Sequence, residues 1–268
     1  MRVFTAMSGG VDSAAAAALV LAEGHAAQGV TMLLYGPELD GAGAAARERA
    51  AAAAACARLG IPHHIADMRE AFSRAVVGPF VAGYRNGATP NPCVDCNREI
   101  KFGTLLDWVI SHGGDALATG HYARVAREGD RLLLLRAACA EKDQSYVLYS
   151  LTQERLRRVL FPLGEQTKEQ ARALVRERAL ADADKPESQD ICFIQGDYRA
   201  FLRPRAPEGF VPGDFVDAAG LVLGRHAGTA CYTVGQRKGL GVAWAHPLFV
   251  LRRDLERNRV VLGGEDQL

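Results

Sequence analysis

Short apolar runs alternate with alanine-rich segments over the first 120 residues, and this alternation limits the possible folds more than any other feature. Residues 2–6 read as a buried strand, 14–23 as an Ala/Leu helix closed by Gly24, and 28–35 as a second strand. Ala44–Leu59 is a strong helix former ended by Gly60, since alanine has the best helix propensity and glycine suits the left-handed residue after a helix. A third strand is predicted at 61–66, a helix at 69–84 and a fourth strand at 116–119. Strands and helices in this rhythm predict an α/β fold with a doubly wound parallel sheet. Residues 124–136, turned at Glu128-Gly129-Asp130, predict a β-hairpin. Helices are expected at 153–159 and 167–178, and a polar mobile loop at 182–189. From Gly209 the pattern changes to short apolar runs at 210–216, 221–223, 230–234, 249–252 and 259–262, punctuated by Gly, Pro and Asp. This predicts a small β-rich second domain, with the chain divided into 1–204 and 205–268.

Composition narrows the class. Hydrophobic content of 49% and charged content of 24% fit a soluble globular protein. The Ala/Leu run at 14–22 is too short to span a bilayer, and the N-terminus has no signal-peptide pattern. A cytoplasmic protein without membrane association is expected. Six cysteines in such a chain point to reactive or metal-binding thiols before structural disulfides. A net charge of +1 announces no nucleic-acid partner; residues 199–268 carry 10 basic and 7 acidic side chains, which on charge alone is an ordinary solvated surface.

Two motifs carry chemistry. Ser8-Gly9-Gly10-Val11-Asp12-Ser13 joins the first strand to the first helix. Its glycines let backbone approach an anion, and the helix start offers unpaired N–H groups. Ser8 and Ser13 add hydroxyl donors, and Asp12 suits Mg²⁺. The loop has neither the Gly-Lys-Ser/Thr ending of a Walker A motif nor a dinucleotide fingerprint, and a tight strand–helix turn without ligand also explains it. The second motif, Thr89-Pro-Asn-Pro-Cys93-Val-Asp-Cys96-Asn-Arg-Glu-Ile-Lys101, places two cysteines ahead of an apolar-periodic helix with Asn97 as its cap. The helix dipole, Arg98 and Lys101 all favour a thiolate, so Cys96 reads as a nucleophile on a loop.

Together with residues 119–124, 142–146, 188–194 and 235–241, these motifs resemble, in order, the bacterial tRNA-uridine 2-sulfurtransferases (the MnmA family). That family lies within the PP-loop ATP pyrophosphatases of the adenine nucleotide alpha hydrolase-like fold. The resemblance implies that ATP adenylates the 2-oxygen of a wobble uridine in tRNA. A protein persulfide then delivers sulfur, and AMP leaves. It implies Cys96 as nucleophile and Cys192 as persulfide carrier. It also implies Ala6, Met7, Ser8, Gly9, Gly10, Val11, Asp12, Ser13, Met32 and Gly120 as ATP contacts. Asn91, Pro92 and Cys93 match the segment beside the target base, and His121, Lys142, Asp143 and Gln144 match tRNA-contact positions. The implied cofactors are ATP and Mg²⁺. The implied partners are tRNA and a sulfur-donor protein, such as a cysteine desulfurase or a sulfur relay.

Two features depart from the family pattern. The chain stops at Leu268, so the family's C-terminal β-barrel is expected to be absent. Cys93 stands where some relatives have aspartate, so Cys93, Cys96 and Cys192 together also suit three ligands of a [4Fe–4S] cluster. A persulfide relay through Cys192 and Cys96 and a cluster mechanism both fit this spacing. As pure sequence, Cys192 between Ile191 and Phe193 also reads as a core cysteine, His121 as a structural histidine, and 235–241 as a solvated glycine turn as readily as an RNA contact. Cys56, Cys139 and Cys231 match no motif and read as packing residues. An amidating or synthetase-type pyrophosphatase would not need Cys96 and Cys192, and a tRNA-binding remnant would bind tRNA without consuming ATP.

Overall fold

Five strands form the parallel sheet that the alternation predicts; the computed structural model describes residues 1–40, 43–185, 191–194 and 196–268. These residues fall into two compact units: Met1–Val76 with Cys93–Phe193, and Val77–Pro92 with Ile194–Leu268.

In the first unit β1 (Arg2–Ala6) pairs with β2 (Ala26–Leu33), which pairs with β3 (His63–Asp67). On its other side β1 pairs with β4 (Ala116–Ala118). The hairpin β5 (Ala123–Glu128) and β6 (Arg131–Arg136) stands apart as its own ribbon. β7 (Val159–Leu160) closes the order β3-β2-β1-β4-β7. Thr5 is in register with both Gly29 and Ala118, so β1 and β4 end at the same edge of the sheet. The strand order reverses between these two strands. In doubly wound sheets, ligands bind outside the carboxyl ends of the strands at that point.

Helix α1 (Val11–Ala22) is buried on nearly every side, with Ala14 to Ala18 and Val20 at most 1% exposed. A helix apolar all round belongs inside a core. Its methyl side chains let it lie close to the sheet, to α2 (Ala44–Leu59) and to the later helix Lys168–Glu177. The first turn begins at Val11 rather than Ala14, because extended Gly10 serves as the N-cap.

The cysteine segment differs from its predicted form. Helix α3 (Arg69–Phe72) runs into a π-helical turn, Ser73–Val77, and α4 (Gly78–Arg85) belongs to the second unit. Then α5 (Pro92–Asp95), a π-helical stretch Cys96–Leu105 and α6 (Leu106–Ser111) follow without a break. Proline suits the first position of a helix, so Pro92 starts this one, ahead of Asn97, the expected cap. The helix expected at 153–159 stops early, as α7 (Gln153–Leu156), and its last residue enters β7. α8 (Lys168–Glu177) matches its predicted extent. The loop expected at 182–189 extends into 186–190, which lie outside the described residues; at its start Asp182 Oδ1 accepts the Asp184 N–H at 3.1 Å.

The second unit holds α9 (Tyr198–Leu202) and a four-stranded sheet in the order β10-β11-β8-β9. Its strands are β8 (Gly213–Val216), β9 (Val222–His226), β10 (Phe249–Asp254) and β11 (Arg259–Gly263). β8 and β11 are parallel, and the other two pairings are antiparallel. Residues 230–234, predicted as a strand, instead enter a 3₁₀ turn at Thr229–Cys231 and an extended stretch outside the sheet. Among the described residues no helix is long and apolar enough to cross a membrane.

Candidate functional site

The loop after β1 is built around Ser13. The Ser8 N–H donates to Ser13 Oγ at 3.2 Å, and the Ser13 hydroxyl donates to the Gly10 carbonyl at 3.0 Å. Ser13 is 5% exposed, so its hydroxyl shapes the loop from within, while Ser8 is exposed. Gly9 has φ +73°, and a Cβ there would collide with the Glu48 carbonyl of α2. Gly10 places no side chain over the start of α1. First-turn N–H groups without intrahelical acceptors at the carboxyl edge of a parallel sheet make an anion seat.

Gly120, just after β4, completes this seat. A Cβ on it would stand 2.9 Å from the Asp12 carbonyl carbon, so only glycine allows the chain after β4 to come this close to the first turn of α1. Met7 is buried, and Met32 is half-buried near the end of β2. Ala6 to Ser13, Met32 and Gly120 therefore gather on adjacent strand ends.

Asp12 has partners that its sequence context does not announce. Both carboxylate oxygens accept from Lys168 Nζ, at 2.7 and 2.8 Å, and Oδ1 also accepts from the Tyr122 hydroxyl at 2.9 Å. Lys168 is buried at the first position of α8. The sequence holds one signal for it: a cation in a helix's first turn opposes the helix dipole.

Next to the seat, His121 is 7% exposed, with Nδ1 2.8 Å from Thr119 Oγ1 and Nε2 3.5 Å from Lys101 Nζ. An ammonium only donates, so Nε2 accepts and the ring proton sits on Nδ1. Burial first, and then Lys101, hold the ring neutral by driving its pKa well below the ordinary value.

Cys96 does not have the depressed pKa that its spacing suggests. It is 8% exposed and lies one turn inside the helix begun by Pro92, beyond the strongest part of the dipole. Burial raises its pKa against the pull of Lys101, and Cys93 and Asp95 add to the rise. Arg98 is turned away, pairing with Asp95 at 2.9 Å and Glu99 at 2.7 Å. Asn97, expected as a cap, is 2% exposed, with no partner for Oδ1 among the described residues.

Cys192 lies in the same unit. The Tyr35 hydroxyl donates to its carbonyl at 2.9 Å, and Phe193 packs edge-on against Phe72, with ring centroids 5.5 Å apart. Its side chain is exposed, yet protein crowds the sulfur. That crowding, followed by Cys96 and Cys93, pushes its pKa up to about 12 against the pull of Lys101. Water reaching the side chain tempers the first of these causes. The fold thus brings Cys93, Cys96, Cys192 and Lys101 into one electrostatic neighbourhood, although Cys96 and Cys192 are 96 positions apart. No disulfide joins any of the six cysteines.

The remaining predicted residues are spread more widely. Asp143 anchors the hairpin end, accepting from the Ala137 N–H at 2.8 Å and the Ser145 hydroxyl at 2.8 Å. Burial raises its pKa, but these hydrogen bonds and Arg136 outweigh burial and leave it lowered. Gln144 exchanges hydrogen bonds with the Tyr122 backbone, and Lys142 ends a 3₁₀ turn. Asn91 and Pro92 fall in the second unit.

Metal ligation finds little support in this arrangement. No three His, Cys, Asp or Glu side chains among the described residues are grouped to hold a metal ion. Asp12 offers a single carboxylate, which fits Mg²⁺ only where the nucleotide's phosphates supply further ligands.

Residues 1–196 match the family described as tRNA methyl transferase HUP domain, and 199–264 match the tRNA methyl transferase PRC-barrel domain. The chain is 48% identical to the tRNA-specific 2-thiouridylase MnmA of Pelobacter propionicus, covering 99% of this chain and 75% of the relative. It is also 48% identical to that of Carboxydothermus hydrogenoformans, covering 100% and 76%. Among solved structures, the U34-tRNA thiolase NcsA of Methanococcus maripaludis with its [4Fe-4S] cluster is 18% identical, with a TM-score of 0.45. It covers 76% of this chain and 64% of that one, and a likeness so slight carries no argument about a cluster here.

Proposed function

The chain belongs to the tRNA-specific 2-thiouridylase family, and from that premise we propose how its residues carry out ATP-dependent 2-thiolation of the wobble uridine of tRNA. The observation that carries the reading is a glycine-shaped anion seat at the sheet's switch point, in the same unit as two cysteines brought near each other. Methyl transfer, named in the domain descriptions, would need neither feature.

ATP binds with its phosphates at the Gly9–Ser13 turn, where backbone N–H groups offset their charge. Asp12, together with the phosphates, would hold Mg²⁺, which when bound would supply further neutralisation of that charge. The uridine 2-oxygen attacks the α-phosphorus, pyrophosphate leaves, and the carbonyl oxygen becomes part of a good leaving group. Cys192, exposed, receives an outer sulfur from a sulfur-donor protein. That sulfur attacks C2 of the base and AMP departs. The Cys96 thiolate then attacks the Cys192 sulfur, which forms a Cys96–Cys192 disulfide and frees 2-thiouridine. A cellular thiol reductant resets the pair. Lys101 favours the Cys96 thiolate against its burial, and neutral His121 positions the Lys101 ammonium. Cys93 is a bystander in this relay. The assignments of Asn91, Pro92, Lys142, Asp143 and Gln144 to base or tRNA contact rest on resemblance alone.

The test is product analysis with unmodified tRNA and a persulfide-loaded protein. AMP, pyrophosphate and 2-thiouridine are expected in equal amounts; ADP and phosphate would overturn the reading.

A further inference from the structure

We propose that Lys168 is a nucleotide-binding residue, whose ammonium is held by Asp12 before nucleotide arrives and turns to the polyphosphate when ATP binds. The inference rests on the anion seat described above and extends it to a residue from the far end of the same unit.

Three observations converge on it. The ammonium is buried, and it lies 2.7 and 2.8 Å from the two oxygens of a carboxylate in the phosphate loop. Helix stability does not account for its position. Thr167 and Gln170 already form a complete capping box, and a cation at the first helical position works against the dipole. Asp12 itself is about a third exposed, in the first turn of α1, where a polyanion must approach. Lys168 cancels that unfavourable charge until the polyanion comes.

The pair is also poised to change partners. Asp12 would also be the residue to hold a divalent cation brought with the nucleotide, and that competition would weaken its contact with Lys168. A buried ammonium whose contact with a carboxylate loosens is well served by a phosphate oxygen within reach. The competing account makes the pair a clasp between α1 and α8. A clasp would have no preference for phosphates.

Calorimetric binding of ATP and AMP to the full chain, in EDTA and in Mg²⁺, separates the two accounts. Lys168→Met should weaken ATP at least about tenfold, the value of a lost charge-assisted hydrogen bond, with little change for AMP. Lys168→Arg should recover part of the loss. The double variant Asp12→Asn, Lys168→Met should not regain ATP affinity. Equal affinities for ATP in wild type and Lys168→Met would overturn the proposal. So would parallel loss of both nucleotides that the double variant restores. If Lys168→Met does not fold, Lys168→Arg and the double variant decide the matter by whether ATP alone is lost. Wild-type release of AMP and pyrophosphate in the presence of tRNA checks the thiolation reading separately. Its failure would leave the lysine's phosphate preference measurable.

Discussion

The phosphate half and the sulfur half of the first unit are built in different states of readiness. At the phosphate loop the groups already meet through short bonds and close backbone approach: Ser13 to Gly10, Lys168 to Asp12, and Gly120 against Asp12. At the sulfur half one thiol is buried, the other is exposed, both have raised pKa values, and no bond joins them. In the proposed relay adenylation needs only its substrates, whereas sulfur transfer also needs a loaded cysteine and a deprotonated one. The two halves should be separable by mutation.

The largest effect expected is a clean split. Cys96→Ser and Cys192→Ser should lower thiolation by on the order of 10³, since residues acting as one unit fail together. tRNA-dependent pyrophosphate release should persist. Thionucleoside mass spectrometry beside a pyrophosphate assay checks it; equal loss of both activities would show that the halves are not independent.

The reverse variant is Ser13→Ala. It leaves the loop without its central hydroxyl and should reduce pyrophosphate release roughly 10–100-fold, the range for a buried group left unpaired. The alkylation rate of Cys96 should stay the same. A change in that rate would mean that the loop also organises the thiols.

Lys101 sharpens the contrast further. Because the Cys96 pKa is raised by burial and pulled down by Lys101, single-turnover sulfur transfer should climb with pH beyond the ordinary cysteine range. Lys101→Met should move that climb to higher pH while adenylation keeps its own profile. An unmoved profile would remove Lys101 from the sulfur half.

The smallest effect concerns stability. The folded-state pKa of His121 lies well below the ordinary 6.5, so the unfolded chain binds the extra proton first. Its contribution is fully present above about pH 6.5 and is lost as pH falls toward the folded value. In His121→Gln, denaturant midpoints should fall less steeply on acidification; identical slopes would place the ring in a wetter setting.

Legibility in the sequence follows the length of the signal. Ala44–Leu59 reads as it folds because sixteen residues of alanine-rich sequence end at a glycine. β7 escapes the sequence because its two residues carry no periodicity of their own, and only pairing with Leu117 and Ala118 makes them a strand. The phosphate loop is legible since glycine and serine there have one local job. The Cys96 pKa is not legible, because it depends on burial and on where the helix begins, and the helix begins at Pro92 and not after Asn97. Lys168 is hidden because its partner lies 156 positions away.

That separation also has a consequence for synthesis. The nucleotide seat takes its first wall from residues made at the start of translation, its second from Gly120, and its ammonium from Lys168. A ribosome must therefore finish nearly two thirds of the chain before these groups can meet. Until then α1, alanine on almost every side, lacks α8, and for the earlier part of that interval it lacks β4 as well. The nascent chain thus carries this apolar helix only partly covered, by β1, β2 and α2, which makes that interval the natural point for a chaperone to act or for aggregation to begin.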